Sequence, residues 1–270
     1  MGNPLAQLAV VALGTEQAKN PAVTGARAAN LARSAVAGLP VLPGFVLVPA
    51  DRAPGAPAGG DAVHGVWQVL DDIAEALVVR PSSVHGDTEE FSAAGPIDPV
   101  PGVRGWEAFQ DAVRAVLDPA RQAQLPGPPD GGTAVLVQPM LRAAVGGVLS
   151  TADPVTGHTD RLLVTVVSGE PGQLVDGGTQ GVHYQLTRFA RLVRTEPPEP
   201  ARRRLLPHRR ITRLVALAKK TERVLGGPVD LEFAFDVDGK LWLYQARPIT
   251  TATARAAPGA KVDGPTRSHP

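Results

Sequence analysis

The segment Asp230–Pro248, DLEFAFDVDGKLWLYQARP, constrains this chain more than any other. Asp238-Gly239 lies between two runs of alternating apolar residues. That is a strong hairpin signal, because a type I′ turn needs positive φ at both central residues. With those two residues as the loop, Phe235 pairs with Trp242, Phe233 with Tyr244 and Leu231 with Ala246, all on one apolar, core-facing side. The other side sets Asp230 opposite Arg247 and Glu232 opposite Gln245. Cross-strand partners have Cβ atoms roughly 4.5–5.5 Å apart, so one end of the hairpin gathers two carboxylates, an amide and a guanidinium. A carboxylate and an amide carbonyl supply two of the hard oxygen donors that Mg²⁺ prefers, leaving the rest to phosphates and water. An arginine beside them can neutralise the same phosphates bidentately. An ion-paired, solvent-facing sheet surface would show the same spacing.

The rest of the chain mixes helices and strands without strict βαβ alternation, which points to an α+β protein. Helical spacing of apolar residues predicts helices over Thr24–Gly38, Val63–Leu77, Trp106–Leu117 and Ile211–Leu225. Apolar or β-branched runs predict strands at Val41–Val48, Ala134–Met140, Gly147–Ser150 and Arg161–Val167. Ala50–Asp61 and Pro119–Gly132 read as loops, and the tail after Thr250, rich in Pro, Gly and Ala, as disordered. Trp67, Trp106 and Trp242 all read as core packing.

Charge and composition narrow the function. The 27 basic and 26 acidic residues give a net charge of +1, which argues against a generally polycationic nucleic-acid binder. The absence of cysteine excludes disulfides, a thiol nucleophile and a zinc–thiolate site. No apolar stretch approaches the ~20 residues of a membrane span, and the N-terminus lacks a basic region followed by a long apolar one. The expectation is a soluble, cytoplasmic protein with neither nucleic acid nor membrane as partner. Arg202–Arg223 holds nine basic residues and one acid, Glu222, with no aromatic for base stacking. It reads as a solvated helix face, with a docking surface for an acidic partner as the alternative. There is no G-x-x-x-x-G-K-[ST] phosphate loop and no G-x-S-x-G nucleophile elbow.

LEFAFDVDGKLWLYQARPIT resembles the segment that closes the ATP-grasp nucleotide-binding domain of the dikinase family: phosphoenolpyruvate synthase, pyruvate phosphate dikinase and rifampin phosphotransferase. Three further stretches follow the family's order. TGARAANLARSAVAGLPVLPGFVLVP is similar to its GGK-x-x-NL…GLPVPPGF stretch, VVRPSSVHGDTEEFSAAG to its VRSSA…ED…SFAG stretch, and LVQPMLRAAVGGVLSTADPVTG to its VQ-x-MV…GV-x-FT-x-DPVTG stretch. The resemblance implies an ATP-grasp fold, with an N-terminal subdomain over 1–130, a C-terminal one over 131–253 and a tail over 254–270. It implies that ATP and Mg²⁺ bind between the subdomains. Arg27, at the lysine of GGK, and Arg80, at the arginine of VRSS, would contact phosphates. The backbone at Gly95 would approach the nucleotide, and Gln138 would lie near the adenine. Glu232 and Gln245 would form the metal side, and Arg247 would stabilise charge on the transferred phosphoryl group. Positioning and charge neutralisation are what phosphoryl transfer mainly requires.

This sequence departs from the family's pattern at several positions. Besides Arg27 for lysine, Ala26 replaces the second glycine, Pro81 the first serine of VRSS, and Gly86 the glutamate that precedes Asp87. Pro99 stands at the threonine after SFAG, and Thr165–Gly177 has TVV and GEPG where the family has the glutamate-bearing EAS and GLGE. None of the six histidines lies in the family's phosphoryl-carrying GG-x-T-SH segment. The leading expectation is a stand-alone ATP-binding subunit that phosphorylates a histidine on a separately encoded partner, or a small acceptor directly. The alternative is a degenerate, non-catalytic module that keeps the fold for binding or regulation.

Overall fold

The structure is a computed structural model that describes residues 4–83, 99–118, 133–153, 156–175, 181–197 and 204–249. Gly86, Asp87, Gly95, the Pro119–Gly132 loop and the tail after Thr250 lie outside the described residues. The α+β expectation is met by two antiparallel sheets. The first contains β1 (Leu8–Ala12), β2 (Phe45–Pro49), β5 (Ala134–Pro139), β3 (Leu77–Ser82) and β4 (Val100–Val103), in that spatial order. The second contains β11 (Leu241–Pro248), β10 (Val229–Asp236), β6 (Ala143–Ser150), β7 (Arg161–Ser168), β8 (Val182–Thr187) and β9 (Leu192–Glu196). The chain passes from one sheet to the other between Pro139 and Ala143.

One face of the first sheet is covered by α2 (Gly60–Asp71) and α3 (Trp106–Leu117). Val63, Trp67 and Leu70 from α2 meet Phe109, Val113 and Val116 from α3 over Leu47, Leu77 and Val137. Both helices put apolar residues three or four apart on one side, which is what a helix resting on a sheet must do. A second, larger core joins the two sheets through α1 (Pro21–Val36) and α4 (His208–Leu225). There Leu31 and Ala28 pack with Val46 and Leu136 of the first sheet and with Leu231, Phe233 and Leu243 of the second. The Leu243 N–H donates to the Pro40 carbonyl at 2.8 Å, and Val41 bridges Leu243 in parallel. This pins the segment after α1 to the edge of β11. The expected strand over Val41–Val48 is therefore only this bridge followed by β2.

The hairpin of β10 and β11 departs from the expected geometry near its turn. The loop holds three residues, Val237, Asp238 and Gly239, with the Asp236 N–H donating to Lys240 O at 3.0 Å and the Gly239 N–H to Asp236 O at 2.9 Å. Gly239 alone takes positive φ, +76°. A three-residue loop needs one left-handed residue where a type I′ turn needs two. The register next to the turn is thereby one residue off: Phe235 pairs with Leu241, Ala234 with Trp242 and Phe233 with Leu243. A β-bulge between Glu232 and Phe233 then absorbs the offset at Tyr244. Beyond it, Glu232 pairs with Gln245, Leu231 with Ala246 and Asp230 with Arg247, as the sequence predicts. Trp242 and Tyr244 are consequently not in the core with Phe233 and Phe235. They sit across the sheet with Ala234 and Leu42.

Candidate functional site

The site is built from three directions: the N-terminal half of α1, the end of β3, and the hairpin β10–β11. Helix α1 is broken at Gly25, with φ 79° and ψ 161°, a conformation essentially confined to glycine. A Cβ at this position would stand 2.2 Å from the Ser82 carbonyl oxygen, so the backbone of α1 lies directly on β3. The Ala26 N–H donates to Ser83 O at 2.8 Å, and the Ala28 N–H to Ser82 Oγ at 3.1 Å. These contacts hold Arg27 against the strand end that carries Arg80. Two of the departures are harmless here. Ala26 follows the break and has helical torsions, so glycine is needed only at position 25. Pro81 lies past the last β3–β4 pair, Val79–Val100, and faces Val135 of β5 alone, so the donor it lacks has no strand to serve.

Arg80 is the centre of the arrangement. Its guanidinium carbon stands 5.6 Å from the Tyr244 ring centroid, a cation–π contact. Burial, and then the like charge of Arg27, lower its pKa from the usual arginine value, while Glu232, Tyr244 and Glu170 act in the opposite sense. Arg80 is thus close enough to feel both Arg27 and Glu232, although their elements are far apart in sequence. The cation facing Glu232 is Arg80. Arg247 is engaged by Asp230, the partner that the sequence register gives it: its Nε donates to Asp230 Oδ2 at 3.2 Å, and its Nη2 lies 3.2 Å from the same oxygen. Asp230 in turn accepts from the Ser150 hydroxyl. Arg247 is about half exposed and reaches out from the end of the hairpin.

Glu232 and Gln245 stand side by side in register, Gln245 buried and Glu232 half-buried. Among the described residues no group of three His, Cys, Asp or Glu is arranged to enclose a metal. One carboxylate and one amide oxygen suit a Mg²⁺ ion whose other ligands are phosphate and water. Gln138 is buried in β5, with its Nε2 donating to the Leu42 carbonyl at 3.0 Å. It touches the site through Leu42, which packs with Tyr244. Gly95 lies outside the described residues.

Two residues at the site were not foreseen from the sequence: Tyr244 and Glu170. Tyr244 donates from its hydroxyl to Glu170 Oε2 at 3.2 Å, while Glu170 Oε1 accepts from the Ala143 N–H at 3.1 Å. Burial first, and then the Glu170 carboxylate, raise the Tyr244 pKa well above the usual tyrosine value, so the phenol stays a donor. The turn carrying Glu170 lies flat on β6. A Cβ at Gly146 would come within 2.5 Å of Pro171 N and 2.6 Å of Gly169 O. Tyr244 could have been placed by reading Val237-Asp238-Gly239 as a three-residue loop with glycine last. The only sequence signal for Glu170 is its position as the single acid just after β7.

Residues 60–193 and 182–267 match the family described as pyruvate phosphate dikinase, AMP/ATP-binding domain, and the chain belongs to that family. Its relatives include the prodigiosin synthesizing transferase PigC of Serratia marcescens, 28% identical over 90% of this chain and 33% of that protein. A probable phosphoenolpyruvate synthase of Methanothermobacter thermautotrophicus is 30% identical over 67% of this chain and 30% of its own length. A rifampicin phosphotransferase from Streptomyces sp. is 31% identical over 74% of this chain and 26% of its own. The chain thus spans a third or less of these relatives. Among solved structures, the D-alanine–D-alanine ligase from Coxiella burnetii superposes with a TM-score of 0.46 at 14% identity, covering 82% of this chain and 46% of that one.

Proposed function

We propose that this chain binds Mg-ATP and takes part in phosphoryl transfer, with the phosphates against Arg27 and Arg80, the metal side on Glu232 and Gln245, and Arg247 at the transferred group. The observation that carries this reading is that Arg80 on β3 lies within electrostatic reach of both Arg27 on α1 and Glu232 on β10. Two guanidinium groups held close despite their mutual repulsion suit a polyanion. Mg²⁺ would supply charge neutralisation of the phosphate oxygens. Gln245, buried beside Glu232, limits the water that reaches that carboxylate. Arg247 sits two residues further along β11, about half exposed, where an incoming acceptor can reach it. The acceptor would come from outside this sequence, as a histidine on a separate partner or as a small molecule, since no histidine here lies in a GG-x-T-SH segment.

The rival reading, a non-catalytic binding module, draws support from Thr165 and Gly172, which stand where the family has glutamates. AMP formation from ATP separates the two, measured with the purified chain and then with a candidate histidine-bearing partner. Under the transfer reading, Glu232→Gln and Arg247→Ala each abolish AMP formation, and Arg247→Ala still binds ATP. ATP binding with no AMP in either assay refutes the transfer reading.

A further inference from the structure

The Glu170–Tyr244 pair sits beside the nucleotide site, yet neither residue has a part in the proposed chemistry. Glu170 is fixed at both oxygens, Oε1 by the Ala143 N–H at 3.1 Å and Oε2 by the Tyr244 hydroxyl at 3.2 Å. Its carboxylate is therefore held in one orientation. Tyr244 is buried, its ring is the surface on which Arg80 rests at 5.6 Å, and its position off the core results from the three-residue loop that offsets the register of β11. The turn that delivers Glu170 is held down by the Gly169 N–H donating to Ala144 O at 3.1 Å, with Gly146 leaving the space beneath it. The connection thus runs from the β6 backbone through Glu170 and Tyr244 to Arg80.

Building on the nucleotide-site reading above, we infer that Glu170 is a positioning residue for the phosphate-binding arginine: it locks the Tyr244 ring, and the ring sets where the Arg80 guanidinium meets the phosphates. The same carboxylate also bears a negative charge within reach of Arg80, so its loss has two opposing effects. Removing the lock misplaces Arg80, and removing the charge favours the incoming anion. Tyr244→Phe isolates the first effect, because it deletes the hydrogen bond while keeping the ring and the charge.

The test is calorimetric titration of the full chain with Mg-ATP, using wild type, Tyr244→Phe and Glu170→Gln, each also in an Arg80→Ala background. The expected result is about fivefold weaker binding for Tyr244→Phe, the effect of one lost hydrogen bond on the group it orients. In the Arg80→Ala background the same change should have no effect, since no guanidinium remains to position. The Tyr244→Phe/Glu170→Gln double variant should bind no more weakly than Tyr244→Phe, because removing the charge favours the anion and the lock is already gone. Wild-type affinity in Tyr244→Phe overturns the inference. So does an equal loss with and without Arg80, which would mark the pair as general scaffolding, and so does tighter binding by Glu170→Gln with Tyr244→Phe unchanged. A wild-type chain that binds no Mg-ATP overturns the nucleotide-site reading itself, and this inference falls with it.

Discussion

Replacing Arg80 with alanine should weaken nucleotide binding strongly while hardly changing the stability of the fold. A charge-assisted bond from guanidinium to phosphate contributes about 1.5–3 kcal/mol. At 1.4 kcal/mol per factor of ten, that is about a 10- to 140-fold loss in affinity for Mg-ATP. The surroundings favour the upper half of the range. Without Arg80, the carboxylates of Glu232 and Glu170 face the phosphates with only Arg27 to offset them. The stability terms oppose one another. Alanine forfeits the contact over Tyr244, about 0.5–2 kcal/mol, and the attraction of the two carboxylates. It also relieves the burial of a cation and its repulsion from Arg27, the two causes that lower the Arg80 pKa. The net change in folding free energy should stay within about 1 kcal/mol. Calorimetric titration with Mg-ATP, beside a urea melt of the same sample, measures both quantities. An unchanged dissociation constant would show that the end of β3 no longer forms the phosphate site. Unfolding of the variant would show that Arg80 is a structural cation.

Other perturbations test the scaffold and the metal. Gly25→Ala forces a side chain onto the Ser82 carbonyl at a glycine-only conformation, so it should cost about 1–3 kcal/mol or more in a denaturant melt and lower Mg-ATP affinity by shifting Arg27. ATP should bind much more tightly with Mg²⁺ than without it, because two arginines facing two carboxylates leave a triphosphate's charge unbalanced; equal affinities by calorimetry would remove the metal assignment. Tyr244 should make folding less favourable at high pH: above its ordinary pKa of 10.0 the unfolded phenol loses its proton while the folded one keeps it, so stability falls by about 1.4 kcal/mol per pH unit. Melts from pH 9 to 11 should show that component of the slope vanish in Tyr244→Phe.

The hairpin shows what could be read in the sequence and what could not. The alternation of DLEFAFDVDGKLWLYQARP and its glycine were enough to place Glu232 beside Gln245 and Asp230 beside Arg247. That success depended on two errors cancelling, a loop one residue longer than expected and a bulge that restores the register at Tyr244. Between loop and bulge nothing cancels, which is why Trp242 and Tyr244 were assigned to the wrong face. Trp242 instead donates from its indole N–H to Asp236 Oδ2 at 2.9 Å and lies beneath the Lys240 ammonium. Helices with a clear apolar stripe were legible: Trp106–Leu117 appears with the expected bounds, and Ile211–Leu225 only begins three residues earlier, at His208. Arg27 and Arg80 could be matched to motifs, but their convergence depends on the break at Gly25, and a lone glycine in TGARAAN does not reveal that it must lie against Ser82. Glu170 was illegible because the packing of its turn on Gly146 is a tertiary event between residues 24 apart in sequence.

Three of the departures from the family's pattern, Ala26, Pro81 and Thr165, fall into two spatial groups, and the division bears on whether the chain is a working enzyme. Ala26 and Pro81 lie where the backbone tolerates them, beside Arg27 and Arg80. Thr165, at the first glutamate of EAS, lies on the second sheet in the cross-strand row Gln245–Glu232–Val148–Thr165–His183. It is two strands from Glu232, about 10 Å at the usual strand spacing, and its hydroxyl is hydrogen-bonded to His183 Nδ1 at 2.9 Å. At this position the chain carries threonine where the family has an acid, while Arg27 and Arg80 keep a positive charge at their motif positions. Such a change should spare ATP binding and weaken transfer. Thr165→Glu tests this, because it restores the acid at a half-buried position in the same cross-strand row as Glu232. If the missing acid limits transfer, the variant should raise the rate of AMP formation with Mg-ATP affinity within about twofold of wild type. A variant that binds Mg-ATP as wild type does and forms AMP no faster would show that the acid is not what limits transfer, and would leave the binding-module reading the stronger of the two.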